Sequence, residues 1–282
     1  YLGSGLSILT AQMHQRIARP IIVLVDDKEE AAYYLNDLES IFSKEEVLFF
    51  PSSYRRPYEI EEVQNANVVI RTEVLNALSA KKPRIIVTYS DALLEKVVTK
   101  SALTSNTLKV KVGTELGIEF ITDMLFEYNF NKVDFVSEPG EFSIRGGIID
   151  VFSFAGEHPY RISLFGDEVE TIRTFDIDTQ LSIETTKEIS IIPNLENKAI
   201  DEKRESFLQY IPKDTLFVTK NIEVISNQIK KNFEKAEEIF VNLNSEIKRA
   251  EPKDLFLDQN GFLHQLVNFG LIEISNKSYF ET

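Results

Sequence analysis

Near residue 107 the apolar residues of this chain change their period, and the change splits the fold into two kinds of structure. Before it, short runs of consecutive apolar residues alternate with segments of helical spacing; after it, apolar and polar residues alternate one by one. A strand that is apolar on both faces belongs in a parallel sheet covered by helices, whereas strict alternation belongs in an antiparallel sheet with one dry face. The chain therefore needs two different sheets.

Pro20-Ile-Ile-Val-Leu-Val25, Val47-Leu-Phe-Phe50 and Arg84-Ile-Ile-Val-Thr-Tyr89 read as buried strands. Asp27 with Glu30 three residues later gives a capping-box-like helix start, followed by Ala31, Tyr34, Leu35, Leu38 and Ile41 at helical spacing. Ser90-Asp91 is expected to cap another helix carrying Leu93, Leu94 and Val97. From about Thr107 to Pro193 the alternation predicts an inserted β-rich domain. Val133 and Phe135 alternate there, Glu138-Pro-Gly-Glu141 turns the chain, and Phe142 with Ile144 resumes the pattern. Gly166-Asp167 separates Tyr160–Phe165 from Glu168–Arg173, and a glycine in the first central position suits a type II′ hairpin turn. From Lys198 the pattern is again mixed, with a strand at Leu216–Thr219, a long helix near Asn221–Leu243, and short elements at Asp254–Leu257, Phe262–Phe269 and Leu271–Ile274. The predicted class is α/β: a parallel-sheet domain over 1–106, an inserted antiparallel β-rich domain over 107–193, and a further mixed α/β domain over 194–282.

Charge and composition narrow the function. Against 31 basic side chains stand 45 acidic ones, a formal charge of −14, and such a field repels phosphate backbones unless arginines are gathered locally. Unaided binding to nucleic acid is disfavoured. The absence of cysteine removes disulfides and thiolate metal sites and suits a reducing compartment, so a cytoplasmic location is expected. The longest wholly apolar run, Ile21 to Val25, is far shorter than the roughly 20 residues of a membrane span. A chain opening at Tyr1 and closing after Tyr279-Phe-Glu-Thr282 is expected to be a fragment of a longer protein.

Few residues offer reactive chemistry. Gly3-Ser4-Gly5-Leu6-Ser7 would end a phosphate-binding loop if Leu6 were lysine, whose ammonium neutralises the β and γ oxygens. With leucine there, ATP hydrolysis is not expected; a decayed nucleotide site and a flexible helix lead-in remain equally open. Asp26-Asp27 after the first strand could hold magnesium, but helix capping accounts for the same residues and is preferred. His14, His158 and His264 are scattered, and neither a metal site nor a catalytic triad is suggested. The 160–173 hairpin is different. Alternation places Arg161, Ser163 and Phe165 on one face and Tyr160, Ile162 and Leu164 on the other, with about 13 Å between Arg161 and Phe165. Arginines beside aromatics are typical of binding hot spots. Spacing alone nevertheless favours a plainer arrangement, in which Arg161 pairs diagonally with Glu170 and Phe165 covers a second small core.

Gly140-Glu-Phe-Ser-Ile-Arg-Gly-Gly-Ile-Ile-Asp-Val-Phe152 and Pro159-Tyr-Arg-Ile-Ser-Leu-Phe-Gly-Asp-Glu-Val-Glu-Thr-Ile-Arg-Thr-Phe-Asp176 resemble the N-terminal part of the bacterial transcription-repair coupling factor family (Mfd), which is similar to the excision-repair subunit UvrB. Weaker collinear likeness lies in Tyr54-Arg-Arg-Pro-Tyr58 and Arg84-Ile-Ile-Val-Thr-Tyr-Ser-Asp-Ala-Leu-Leu94. The resemblance implies a degenerate RecA-like domain, the inserted domain and a further mixed domain. It implies that the inserted domain recruits UvrA, the damage-recognition ATPase, through Arg145, Arg161 and Phe165. Ser143 departs from UvrB, which tends to carry another arginine there, so a weaker affinity for UvrA is expected. It further implies no bound cofactor in this part. It also implies that ATP and magnesium, DNA and RNA polymerase are engaged by parts of the family outside this chain, and that an intramolecular domain masks the UvrA-facing surface at rest. The expected role is a UvrA-recruiting adaptor in transcription-coupled nucleotide excision repair, without turnover of its own. The alternatives are an N-terminal ATPase or helicase fragment of UvrB type, and a direct DNA-binding module.

Overall fold

A computed structural model describes residues 4–53, 65–78, 82–195, 203–242 and 250–274. The chain separates into two compact units, one built from residues 1–67, 74–99 and 203–282 and the other from 68–73 and 100–202.

The first unit is organised by a five-stranded parallel sheet in the order Gly270–Glu273, Leu216–Thr219, Ile21–Val25, Ile85–Tyr89, Val47–Phe50. Ile21–Val25 is central, and none of its residues is more than 2% exposed. That burial explains the unbroken apolar run: both faces of the strand must be dry. Helix Lys28–Glu39 begins as its sequence predicts, with the Glu30 N–H donating to Asp27 Oδ1 at 2.8 Å, and it buries Ala31, Tyr34 and Leu38. The long helix is Ile222–Asn242, followed by helices Pro252–Leu255 and Gln259–Leu266. Two expectations are corrected. Ser90 does not cap helix Ser90–Leu94; its hydroxyl donates to the Asp26 carbonyl at 2.7 Å. Val97 lies in the short strand Val97–Val98 rather than on that helix, because the backbone of Glu95 is already extended. One polar feature was not anticipated. The 4%-exposed Glu95 carboxylate accepts from both hydroxyls and from the Ser53 backbone N–H of Ser52-Ser53, at 2.6–3.1 Å, so a buried charge is met by donors.

The second unit carries a six-stranded sheet in the order Ser182–Thr186, Glu168–Phe175, Tyr160–Phe165, Ile148–Val151, Glu141–Arg145, Asn131–Lys132. All neighbours are antiparallel except the last pair. One face is core. Phe142, Ile149, Val151, Ile162, Val169 and Ile172 are fully buried, and Phe126 of helix Ile118–Glu127 meets Phe142 edge-on at 5.2 Å. The helix itself was not predicted. The expected alternation of Val133 and Phe135 is also not a strand: the strand ends at Lys132, with one further bond from the Val133 N–H to the Phe142 carbonyl at 2.9 Å, Val133 packs on a small cluster of Val136, Phe152 and Phe175, and Phe135 stands exposed. The hairpin turn agrees with its prediction. Gly166 has φ +59° while Asp167 keeps a negative φ, the type II′ combination. A second short strand pair, Leu108–Lys111 with Glu188–Ile191, completes this unit.

Candidate protein-binding surface

The register of the antiparallel sheet brings distant residues into one row. Ser143 lies opposite Asp150, Asp150 opposite Arg161, and Arg161 opposite Arg173. Cross-strand partners share a face, and so do residues two apart on one strand. Arg145, Arg161 and Phe165 therefore lie on the face opposite the apolar core. The hairpin 145–148, turning through Gly146 at φ +60°, sets Arg145 diagonal to Asp150. Gly147 cannot be larger, since a Cβ there would lie 2.9 Å from the Leu164 carbonyl oxygen.

Asp150 is the centre of the arrangement. Its side chain is 1% exposed, yet it is held by two guanidinium groups. Arg161 donates from Nε to Oδ1 at 2.7 Å and from Nη2 to Oδ2 at 2.9 Å, the planar fork that only arginine supplies. Arg145 donates from Nη2 to the same Oδ2. Arg161 is further tied to Gln180, with Nη1 donating to its carbonyl and Nη2 to Oε1, both at 3.2 Å, and its guanidinium lies 4.3 Å from the centre of the Phe175 ring. The hydrogen bonds to Asp150 push the Arg161 guanidinium above its ordinary pKa, outweighing its desolvation. The Arg145 side chain is 42% exposed, and its guanidinium lies 5.3 Å from the centre of the Phe135 ring. Phe135 is 66% exposed and Phe165 is 79% exposed. A phenylalanine so open to water gains little from burial in the fold.

The plainer arrangement expected from spacing is thus corrected. Arg161 pairs with Asp150, directly opposite it on the neighbouring strand of the other side, and not with Glu170. A bulge between Val169 and Thr171 takes Glu170 out of register. The second small core exists, but Phe175 fills it and Phe165 does not. Sequence reasoning missed Asp150, Phe135 and Gln180. A lone carboxylate within Ile148-Ile-Asp-Val151 was the available signal, because alternation across the Gly146-Gly147 turn already puts it on the arginine face.

The other candidates sit elsewhere. Gly3 lies outside the described residues, as do Tyr54-Arg-Arg-Pro-Tyr58. Ser4 meets the Tyr33 hydroxyl at 3.1 Å, Gly5 opens helix Gly5–Arg16, Leu6 is 2% exposed, and the Ser7 hydroxyl donates to Asp37 Oδ2 at 2.9 Å. Leu6 is a core residue with no polar group to offer a phosphate. Asp27 caps its helix, while burial, followed by the charges of Glu30 and Asp27, raises the pKa of Asp26 against the opposing pull of Lys220. Among the described residues there is no group of three or more His, Asp or Glu able to hold a metal, and no helix long and apolar enough to cross a membrane.

Comparison with known proteins agrees with this geometry in one respect. A family model described as the UvrB interaction domain matches residues 108–196, the stretch that contains the arginine-bearing sheet. The transcription-repair-coupling factor of Bacillus subtilis is 32% identical over 191 residues, 68% of this chain and 16% of that protein. That of Escherichia coli is 27% identical over 229 residues, 81% of this chain and 20% of the relative, and that of Haemophilus influenzae 28% over 211 residues, 75% and 18%. The chain thus spans 16–20% of the length of these curated relatives. With the parallel-sheet unit and the arginine-bearing sheet both in place, the chain is homologous to the N-terminal region of transcription-repair-coupling factors and contains a UvrB interaction domain.

Proposed function

We propose that this chain is a UvrA-recruiting adaptor module, working in the cytoplasm in transcription-coupled nucleotide excision repair, and that the face bearing Arg145, Arg161 and Phe165 is its docking surface. The single observation that carries the reading is an exposed phenylalanine on the same sheet face as arginines already ordered by the sheet, on the domain matched as a UvrB interaction domain. An aromatic anchor with a charged fork nearby is the composition of a hot spot. Its partner carries a carboxylate and an apolar pocket. We assign residues 1–106, 107–193 and 194–282 as the degenerate RecA-like domain, the UvrA-binding domain and a further mixed domain. In this reading DNA, RNA polymerase and ATP with magnesium are engaged by parts of the full-length protein outside this chain, and an intramolecular domain covers this surface until the polymerase is met.

The module itself has no turnover in this reading, because the position of the phosphate-binding lysine is taken by the buried Leu6. Purified UvrA captured on the parent chain and on Arg145→Glu, Arg161→Glu and Phe165→Ala variants tests the proposal. Each variant is expected to weaken association by roughly 1–3 kcal/mol. Equal capture by all three removes the assignment.

A further inference from the structure

The two arginines bound to Asp150 are not equivalent. Every nitrogen of the Arg161 guanidinium is engaged inside the sheet, by Asp150 and Gln180, and its side chain is only 16% exposed. An incoming carboxylate would meet no pair of N–H groups directed outward. Arg145 uses Nη2 alone on Asp150, has no hydrogen bond from Nε or Nη1 among the described residues, and is far more exposed. Its guanidinium is held by Asp150 and lies over the Phe135 ring. The Phe135 ring is itself 66% exposed.

Resting on the docking reading above, we propose that Arg161 and Asp150 are positioning residues, and that the surface offered to the partner is Arg145 with the two exposed rings, Phe135 and Phe165. Asp150 is fixed through Oδ1 and Oδ2 by the fork of Arg161, and its Oδ2 in turn holds Arg145. A guanidinium held in one orientation before binding loses less rotamer freedom when a carboxylate arrives, so the cost of ordering is met by the fold. Arg161 therefore acts through Arg145. It does not add a contact of its own.

The distinction is measurable in a double-mutant cycle against purified UvrA, with thermal unfolding of each variant followed in parallel. Arg145→Ala and Phe135→Ala are each expected to weaken binding about tenfold, and Arg161→Gln about threefold. The Arg145→Ala/Arg161→Gln double is expected to bind within about twofold of Arg145→Ala, because residues acting through one another are not additive. If Arg161→Gln lowers the melting temperature, the neutral pair Arg161→Gln/Asp150→Asn replaces it in both Arg145 backgrounds, with the same expectation. A double variant that loses the full product of the two single effects overturns the proposal, as does a Phe135→Ala variant that binds like the parent. If none of these variants nor Phe165→Ala alters binding, the docking reading falls together with it, an outcome distinct from the first two.

Discussion

Replacing Arg161 by methionine removes the fork from Asp150 and leaves a carboxylate that is 1% exposed with Arg145 as its remaining cation. Breaking a buried ion pair by deleting one partner costs about 3–5 kcal/mol, since the other charge stays desolvated. Here the loss is smaller, because Arg145 still donates to Oδ2 and methionine keeps contact with the Phe175 ring that now lies under Arg161. A cost of about 2 kcal/mol to the stability of the sheet is expected. Adding Asp150→Asn removes the stranded charge, so the double variant should recover about 1 kcal/mol or more relative to Arg161→Met. Peptide-resolved hydrogen exchange over residues 141–151 and 160–175 isolates this sheet from the parallel-sheet unit, and a loss of 2 kcal/mol appears as about thirtyfold faster exchange through sub-global opening. Exchange within about threefold of the parent for Arg161→Met, or a double variant less protected than that single variant, would refute the buried-clamp reasoning.

Phe165→Ala should change stability by less than about 0.5 kcal/mol, because the ring is 79% exposed, while it lowers UvrA affinity about tenfold; urea denaturation beside binding titration checks both halves. Gly147→Ala should cost about 1–2 kcal/mol in the same denaturation experiment, since its Cβ would press on the Leu164 carbonyl and disturb the 2.8 Å bond from the Leu164 N–H to the Gly147 oxygen. Burial first, and the charge of Glu157 second, push the Glu73 carboxyl up from 4.5 to about 7. A raised carboxylate favours the folded state below pH 4.5 and loses that advantage as pH climbs to about 7, so Glu73→Gln should match the parent near pH 4.5 and exceed it in stability at pH 8; urea midpoints at the two values decide.

How much of this was readable from residues alone depends on the range of the interaction. The strand Ile21–Val25, the Asp27 cap and the Gly166-Asp167 turn each rest on neighbours within a few positions, and local pattern places them well. The two faces of Tyr160–Phe165 follow from alternation, so an outward Arg161 and Phe165 could be expected. The partner of Arg161 could not be, because it depends on which strand lies beside Tyr160–Phe165 and on a bulge that displaces Glu170. Helix Ile118–Glu127 was overlooked although Ile118, Ile121 and Leu125 keep helical spacing, since ten residues within a long alternating stretch give a faint period. Phe135 was legible as an apolar residue but not as an exposed one, for the strand that would have buried it ends at Lys132.

Placing the photoreactive analogue p-benzoylphenylalanine at position 165, and in a second chain at position 33 of helix Lys28–Glu39, compares two exposed aromatic sites on the two units. After irradiation with purified UvrA, the analogue at 165 should form a cross-linked product whose mass contains both proteins, and the analogue at 33 should form none. Cross-linking from position 33 with none from 165 would contradict the assignment of the arginine-bearing sheet as the docking surface.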